Sequence, residues 1–215
     1  NAGVKQLVTG PESFTPDGNF ILGRAPELAG YFVGAGFNSF GIAAGGGAGK
    51  ALAAWIVEGE APYDLWAVDI RRFGPHHRDF QWNRTRTLEM YAKHYTIAWP
   101  HEEHQSARPT RRSPLYDSLA AAGACFGEKL GWERANWFAQ EGEEPRYEYS
   151  YSRQNWFEAS AAEHRAVREN VGIFDMSSFG KFLVQGKGSE KALNRICANQ
   201  VAVEPGRVVY TAWLN

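Results

Sequence analysis

Apolar positions come in short runs separated by turn chemistry, and their spacing divides the chain into small elements. Thr15-Pro16-Asp17-Gly18 predicts a turn: proline fixes φ, the Asp side chain can bond its own backbone, and glycine takes a left-handed position. Phe20, Ile21 and Leu22 predict a short strand closing at Gly23, residues 25–30 a second turn, and residues 31–35 a second strand. Leu52, Trp55 and Ile56 recur at helical spacing among alanines, so residues 49–58 predict a helix, with Gly59 as its stop and Ala61-Pro62 beyond it. Between the second strand and that helix, residues 34–49 hold seven glycines in sixteen positions.

Further along, residues 87–94 have helical propensity, Pro100 ends the following run, and charges interleave with aromatics from about 66 to 112. Ser113-Pro114-Leu115-Tyr116 opens what reads as a new domain, with a helix over 117–124 ending near Gly123. Residues 141–152 are polar and tyrosine-rich, as in a surface excursion. Ser160 with Glu163 predicts a capping box for a helix over 160–170 that Gly172 closes. Residues 173–176, 181–184 and 208–214 predict strands, Pro205-Gly206 a turn, and 189–198 a helix capped by Ser189. The expected fold class is α/β and α+β, organised as 1–65, 66–112 and 113–215. Both ends fall inside strand-like runs, so the chain is expected to be a piece of a longer protein.

Composition narrows the function classes. Of 215 residues 44% are apolar and 14% aromatic, and the net charge of -1 offers no basic surface for nucleic acid. No apolar run approaches the roughly 20 residues of a membrane span. Cys125 and Cys197 stand far apart without metal-like spacing, which predicts reduced intracellular thiols.

The glycine-rich stretch is the strongest chemical candidate. Glycine at that density implies positive φ or close approach. A glycine-rich turn opening a helix aims free N–H groups and the positive end of the helix dipole at one point, where a phosphate or developing negative charge can sit. It is no P-loop, because Ala44 stands where the first glycine belongs and Gly49-Lys50 is followed by Ala51. Nor is it GxGxxG, because Gly34 and Gly36 are followed by Ser39. Tight packing of the loop on a neighbouring strand is the alternative. Five of the six histidines lie between His76 and His104, but His76-His77 are expected to point apart as strand neighbours, and His101 and His104 flank Glu102-Glu103 without forming HExxH, so no metal site is expected. Asp69-Ile70-Arg71-Arg72-Phe73 could hold an anion, though a structural ion-pair network between domains is favoured; Gly131-Trp132-Glu133-Arg134 has the same ambiguity. No GxSxG elbow supports a hydrolytic triad, and Tyr210, among apolar residues, is expected in a core.

These motifs carry a resemblance. Ser113 to Asp117, Gly131-Trp132-Glu133-Arg134, residues 163–177, Gly180-Lys181-Phe182 and Val209-Tyr210-Thr211 resemble the N-terminal part of the aminomethyltransferase (T protein) of the glycine cleavage system. Gly36-Phe37-Asn38-Ser39, Gly45-Gly46-Gly47, residues 53–56, residues 69–73 and residues 91–95 resemble the end of the flavin domain and the middle domain of the sarcosine and dimethylglycine dehydrogenase family, nearest to its sarcosine member. The resemblance implies an FAD-dependent oxidation of an N-methylated glycine, sarcosine, with the one-carbon unit passed to tetrahydrofolate and electrons to an electron-transfer flavoprotein or oxygen. The alternatives are dimethylglycine oxidation, a folate-dependent aminomethyl or methyl transferase with a secondary flavin part, and a non-enzymatic folate-fold binding or assembly module with a degenerate active site. Carried over by position, Gly36, Phe37, Asn38, Ser39, Phe40, Gly41 and Ile42 would lie against the isoalloxazine ring, and Tyr210 against the folate. The catalytic residues, the flavin-linking histidine and the folate-binding acid are expected outside the chain. The family implies a cytoplasmic location in a bacterium and the mitochondrial matrix in a eukaryote.

Overall fold

The computed structural model describes residues 3–214, which form two compact units dividing after Ser178. The first is a mixed α and β unit. Strands β1 (Ile21–Arg24) and β2 (Phe32–Ala35) pair antiparallel, with Leu22 opposite Gly34, and lead into helix α1 (Gly41–Glu58). Ala48, Ala51 and Trp55 form the buried stripe of α1, which packs on β1 and β2. Gly23 takes φ +112, and a Cβ there would lie 2.8 Å from the Trp55 ring; glycine lets the strand meet the indole directly.

Helix α1 starts eight residues earlier than its apolar spacing predicts. Gly45, Gly46, Gly47 and Gly49 are helical residues, and a Cβ on any of them would meet nothing within 4 Å. Most of the glycine-rich stretch is therefore an open helical face and not a loop. Of the seven glycines in the stretch only Gly36 has a positive φ (+64). The expected stop is in place: Gly59 is left-handed and donates its N–H to the Trp55 carbonyl.

Helix α2 (Phe80–Lys93) begins seven residues before the expected start because Asp79 caps it, accepting the Trp82 N–H at 2.6 Å. Helix α3 (Tyr116–Ala121) is followed by strands β3 (Ala124–Lys129) and β4 (Trp132–Phe138), an antiparallel hairpin that the sequence pattern does not announce. Its two-residue turn puts Leu130 and Gly131 at positive φ (51 and 81), the geometry usually filled by Asn-Gly. Helix α4 (Phe157–Glu169) packs Ala159 against Cys125 and Trp137 in a second small core. Its start corrects the capping-box expectation: Ser160 lies inside the helix, and Glu163 instead accepts the Phe138 N–H at 2.8 Å.

In the second unit, helix α5 (Ser189–Ile196) has Gly188, not Ser189, at its cap position, and ends two residues early. Cys197 and Trp213 form an isolated antiparallel bridge. The strands expected at 173–176, 181–184 and 208–214 are not formed as continuous elements: pairing in the last run is confined to that bridge and the flanking bonds from the Ala198 N–H to the Ala212 carbonyl and from the Leu214 N–H to the Ile196 carbonyl, and Ile173, Phe182 and Val208 are more than four-fifths exposed.

The two kinds of glycine separate experimentally. Gly46→Ala is expected to stabilise the chain by about 0.5–1 kcal/mol, because helix entropy improves and nothing is struck. Gly23→Ala is expected to destabilise it by on the order of 2–3 kcal/mol through strain and collision with Trp55. Denaturant melts of the two variants check both signs.

Candidate functional site

The turn at residues 13–19 and the loop between β2 and α1 are bound into one unit by Asn38, whose side chain is completely buried. Its Nδ2 donates to the Gly36 carbonyl at 2.7 Å and to Thr15 Oγ1 at 3.2 Å, its Oδ1 accepts the Thr15 N–H at 2.9 Å, and its own N–H donates to the Ser13 carbonyl at 3.1 Å. Asn38 and Ser39 both hold left-handed backbone, with φ of 49 and 67. Phe37 turns inward to stack on Phe20, with ring centroids 5.0 Å apart. Phe40 turns outward and rests on His94, which also meets Phe14 and Tyr95 edge-on.

Helix α1 begins at Gly41, with Phe40 in the cap position and no side chain capping it. The first helical bond runs from the Ala44 N–H to the Phe40 carbonyl, so the N–H groups of Gly41, Ile42 and Ala43 have no partner within the helix. The first turn carries no acidic residue, and Ile42 is fully exposed. Of the expected flavin-facing residues, Asn38 and Phe37 are turned into the protein and shape the loop. Ser39, Phe40, Gly41 and Ile42 form its open face. Tyr210 belongs to the second unit, where Asn199 Nδ2 donates to its carbonyl; its ring is 94% exposed and not in a core, and no hydrogen-bond partner of its phenol is found among the described residues.

Residues 115–215 match the GCVT N-terminal domain family, and residues 58–113 match the FAD dependent oxidoreductase central domain family. All of the chain aligns with a 4-methylaminobutanoate oxidase (formaldehyde-forming) of Paenarthrobacter nicotinovorans at 44% identity, covering 26% of that protein. It is 40% identical to human mitochondrial sarcosine dehydrogenase, over 99% of this chain and 26% of that enzyme. It is also 37% identical to the mouse mitochondrial pyruvate dehydrogenase phosphatase regulatory subunit, over 99% of this chain and 25% of that protein. The chain shows strong homology to one segment of the sarcosine and dimethylglycine dehydrogenases. It spans about a quarter of the length of the relatives it matches.

FAD, the cofactor this family implies, can be tested against the residues present. Three open backbone donors at a helix N-terminus, with no carboxylate beside them, suit the oxygen- and nitrogen-bearing edge of a flavin ring, while exposed Phe40 and Ile42 offer apolar surface to its face. The open end of α1 fits. Tyr210 alone does not build a folate site.

The charged motifs serve to hold the unit together. Asp69, 2% exposed, caps the 3-10 turn Ile70–Arg72 by accepting the Arg71 N–H and takes a bidentate ion pair from the Arg71 side chain. Arg72 reaches back to Asp17 at 2.6 Å, as expected of a structural network. Glu133 pairs with Arg108, and Arg86 pairs with Glu128, joining α2 to the β3–β4 hairpin. Burial opposes the charge on Glu89, but donors from Lys93, Ser106 and the Gln105 backbone outweigh it and hold its carboxyl at about 2. His76 and His77 do not point apart: they sit on the 3-10 turn Pro75–Arg78 with ring centroids 4.0 Å apart, both against Trp82. Among the described residues no His, Cys, Asp or Glu cluster could hold a metal. Cys125 and Cys197 are free and buried, and burial pushes the Cys125 thiol up to about 11. No helix among the described residues is long and apolar enough to cross a membrane.

The sequence pattern assigns no role at this site to Thr15, Phe14 or His94. The Thr-Pro-Asp-Gly run announced the turn, but nothing local tells which distant loop its hydroxyl will meet.

Burial, with the neighbouring His76, lowers the folded His77 pKa to about 4, while Nδ1 accepts the Gly74 N–H. The folded ring is thus neutral where the unfolded one, near 6.5, begins to bind a proton. Stability from this group is complete above the unfolded value and falls as pH drops from about 6.5 toward 4. Burial shifts His76 and His104 in the same direction. Melting temperature is expected to fall between pH 7 and pH 5, before most carboxylates titrate, and the slope to be shallower in His77→Gln.

Proposed function

We propose that this chain works within an FAD-dependent enzyme that oxidises an N-methylated amino acid, sarcosine, and hands the one-carbon unit to tetrahydrofolate on its GCVT-like part. The observation that carries the reading is the open N-terminus of α1, set in a chain 40% identical throughout to sarcosine dehydrogenase. When bound, FAD supplies the two-electron acceptor for hydride leaving the N-methyl carbon, which leaves an iminium for the folate to capture. This chain's own part is to present the Gly41, Ile42 and Ala43 N–H groups to the ring edge and to exclude water from its face with Phe40 and Ile42. Electrons then pass to an electron-transfer flavoprotein or to oxygen. The division into a flavin-domain end at 1–65, a middle domain at 66–112 and a folate-type domain at 113–215 belongs to the same proposal, as does the placing of Tyr210 against the folate.

A second reading has support of its own. A relative named as a phosphatase regulatory subunit matches 99% of the chain at 37% identity, so the same scaffold is compatible with a binding role without oxidation.

The test is the intact protein's colour. A purified full-length protein is expected to be yellow and to bleach when sarcosine is added without oxygen. Bleaching by dimethylglycine or 4-methylaminobutanoate but not sarcosine would move the substrate assignment. A colourless protein that binds no flavin would favour the regulatory reading. The 215-residue chain alone is expected to show no sarcosine turnover with an added electron acceptor, since it holds only part of the site.

A further inference from the structure

We propose that Asn38, held by Thr15, is a positioning residue that sets the reduction potential of the flavin by fixing where the open donors of α1 point. The proposal rests on the flavin reading above and adds to it a specific residue pair and a measurable property.

The hydrogen-bond pattern allows the Asn38 amide one orientation. The Thr15 N–H can only donate and requires Oδ1 opposite it at 2.9 Å, and the Gly36 carbonyl can only accept and requires Nδ2 at 2.7 Å. Thr15 Oγ1 has its nearest acceptor in the Asn19 carbonyl at 2.8 Å, with Asp17 Oδ1 at 3.1 Å, and a lone pair is left to accept from Asn38 Nδ2. The clamp therefore has direction as well as strength.

What it holds is unfavourable in isolation. Asn38 and Ser39 are consecutive non-glycine residues with left-handed φ, which L-residues adopt at a cost. Asn and Ser are also among the best helix-capping residues, and both stand within three positions of Gly41. Yet Asn38 is turned inward, and the cap position goes to Phe40, whose side chain cannot accept a hydrogen bond. The local sequence had the means to satisfy the first turn of α1, and the fold uses them to leave that turn open.

A second hold comes from the same turn. Phe14, the neighbour of Thr15, meets His94 at 5.3 Å and Tyr91 at 4.9 Å, and His94 in turn supports Phe40. Two residues just ahead of the donors, Asn38 and Phe40, are thus fixed from the 13–19 turn, one by hydrogen bonds and one by ring contacts. Donors at a helix N-terminus favour a ring that gains negative charge on reduction over its oxidised form, and the gain depends on distance and aim. Releasing the clamp is expected to lower the flavin's midpoint potential.

The experiment uses the full-length flavin-loaded protein and compares wild type, Asn38→Ala, Thr15→Val, which deletes the hydroxyl at constant shape, and Thr15→Ser, which keeps it. The readouts are midpoint potential by dye equilibration and thermal stability. The expected result is a potential lowered in N38A and T15V, equivalent to about a tenfold change in the oxidised-to-reduced ratio or about 30 mV for a two-electron couple, with wild-type potential in T15S. Should N38A fail to fold, T15V against T15S decides by the same criterion. Potentials unchanged while stability falls would overturn the proposal and leave Asn38 a purely structural residue. A wild-type protein without flavin would instead overturn the flavin reading, and the proposal with it.

Discussion

One buried amide carries more of this unit than any apolar contact does. Asn38 ties the loop ahead of α1 to the turn at 13–19, and that turn is where the other segments converge. Phe14 reaches the end of α2 through Tyr91 and His94, Asp17 takes the Arg72 guanidinium, and Gly18 lies against Met90. The apolar cores beside it are small, built on Trp55 in one case and on Cys125 and Trp137 in the other. A unit with so little buried apolar surface depends on its polar clamps being satisfied, because an unpaired buried donor or acceptor costs about 1–3 kcal/mol.

The same economy explains the charged motifs. Asp69, Arg72, Arg86, Glu128, Arg108 and Glu133 are each held by a partner of opposite charge, and several of those partners lie dozens of residues away. Such pairs fix register and angle between segments more than they add stability. They tie α2 to the β3–β4 hairpin and the 3-10 turn at 70–72 to the turn at 13–19, and leave the N-terminal half of α1 open.

The sequence was most informative where a local rule decides. The Thr-Pro-Asp-Gly turn, the β1 and β2 strands and the Gly59 stop follow from turn chemistry and apolar spacing alone. It was least informative where a distant partner decides. The early start of α1 hid behind glycines that usually signal a loop, and the capping box at Ser160 yielded to a bond between Glu163 and the Phe138 N–H. The apolar runs at 173–176, 181–184 and 208–214 have strand composition, but a strand exists only with a neighbour, and among the described residues the pairing there goes no further than the single Cys197–Trp213 bridge. At the candidate site the motif does not separate the buried and open faces of its stretch. Asn38 is the pin, and Ser39 to Ile42 are the surface.

The central claim is that the N–H groups opening α1 are kept free for a flavin edge. Amide hydrogen exchange measures this directly. In the chain without flavin, Gly41, Ile42 and Ala43 are expected to exchange near the rate of exposed backbone, while Ala44, bonded to the Phe40 carbonyl, is protected. In the flavin-loaded full-length protein, exchange at Gly41, Ile42 and Ala43 is expected to slow by about tenfold or more. Equal exchange at these three positions with and without bound flavin would contradict the account.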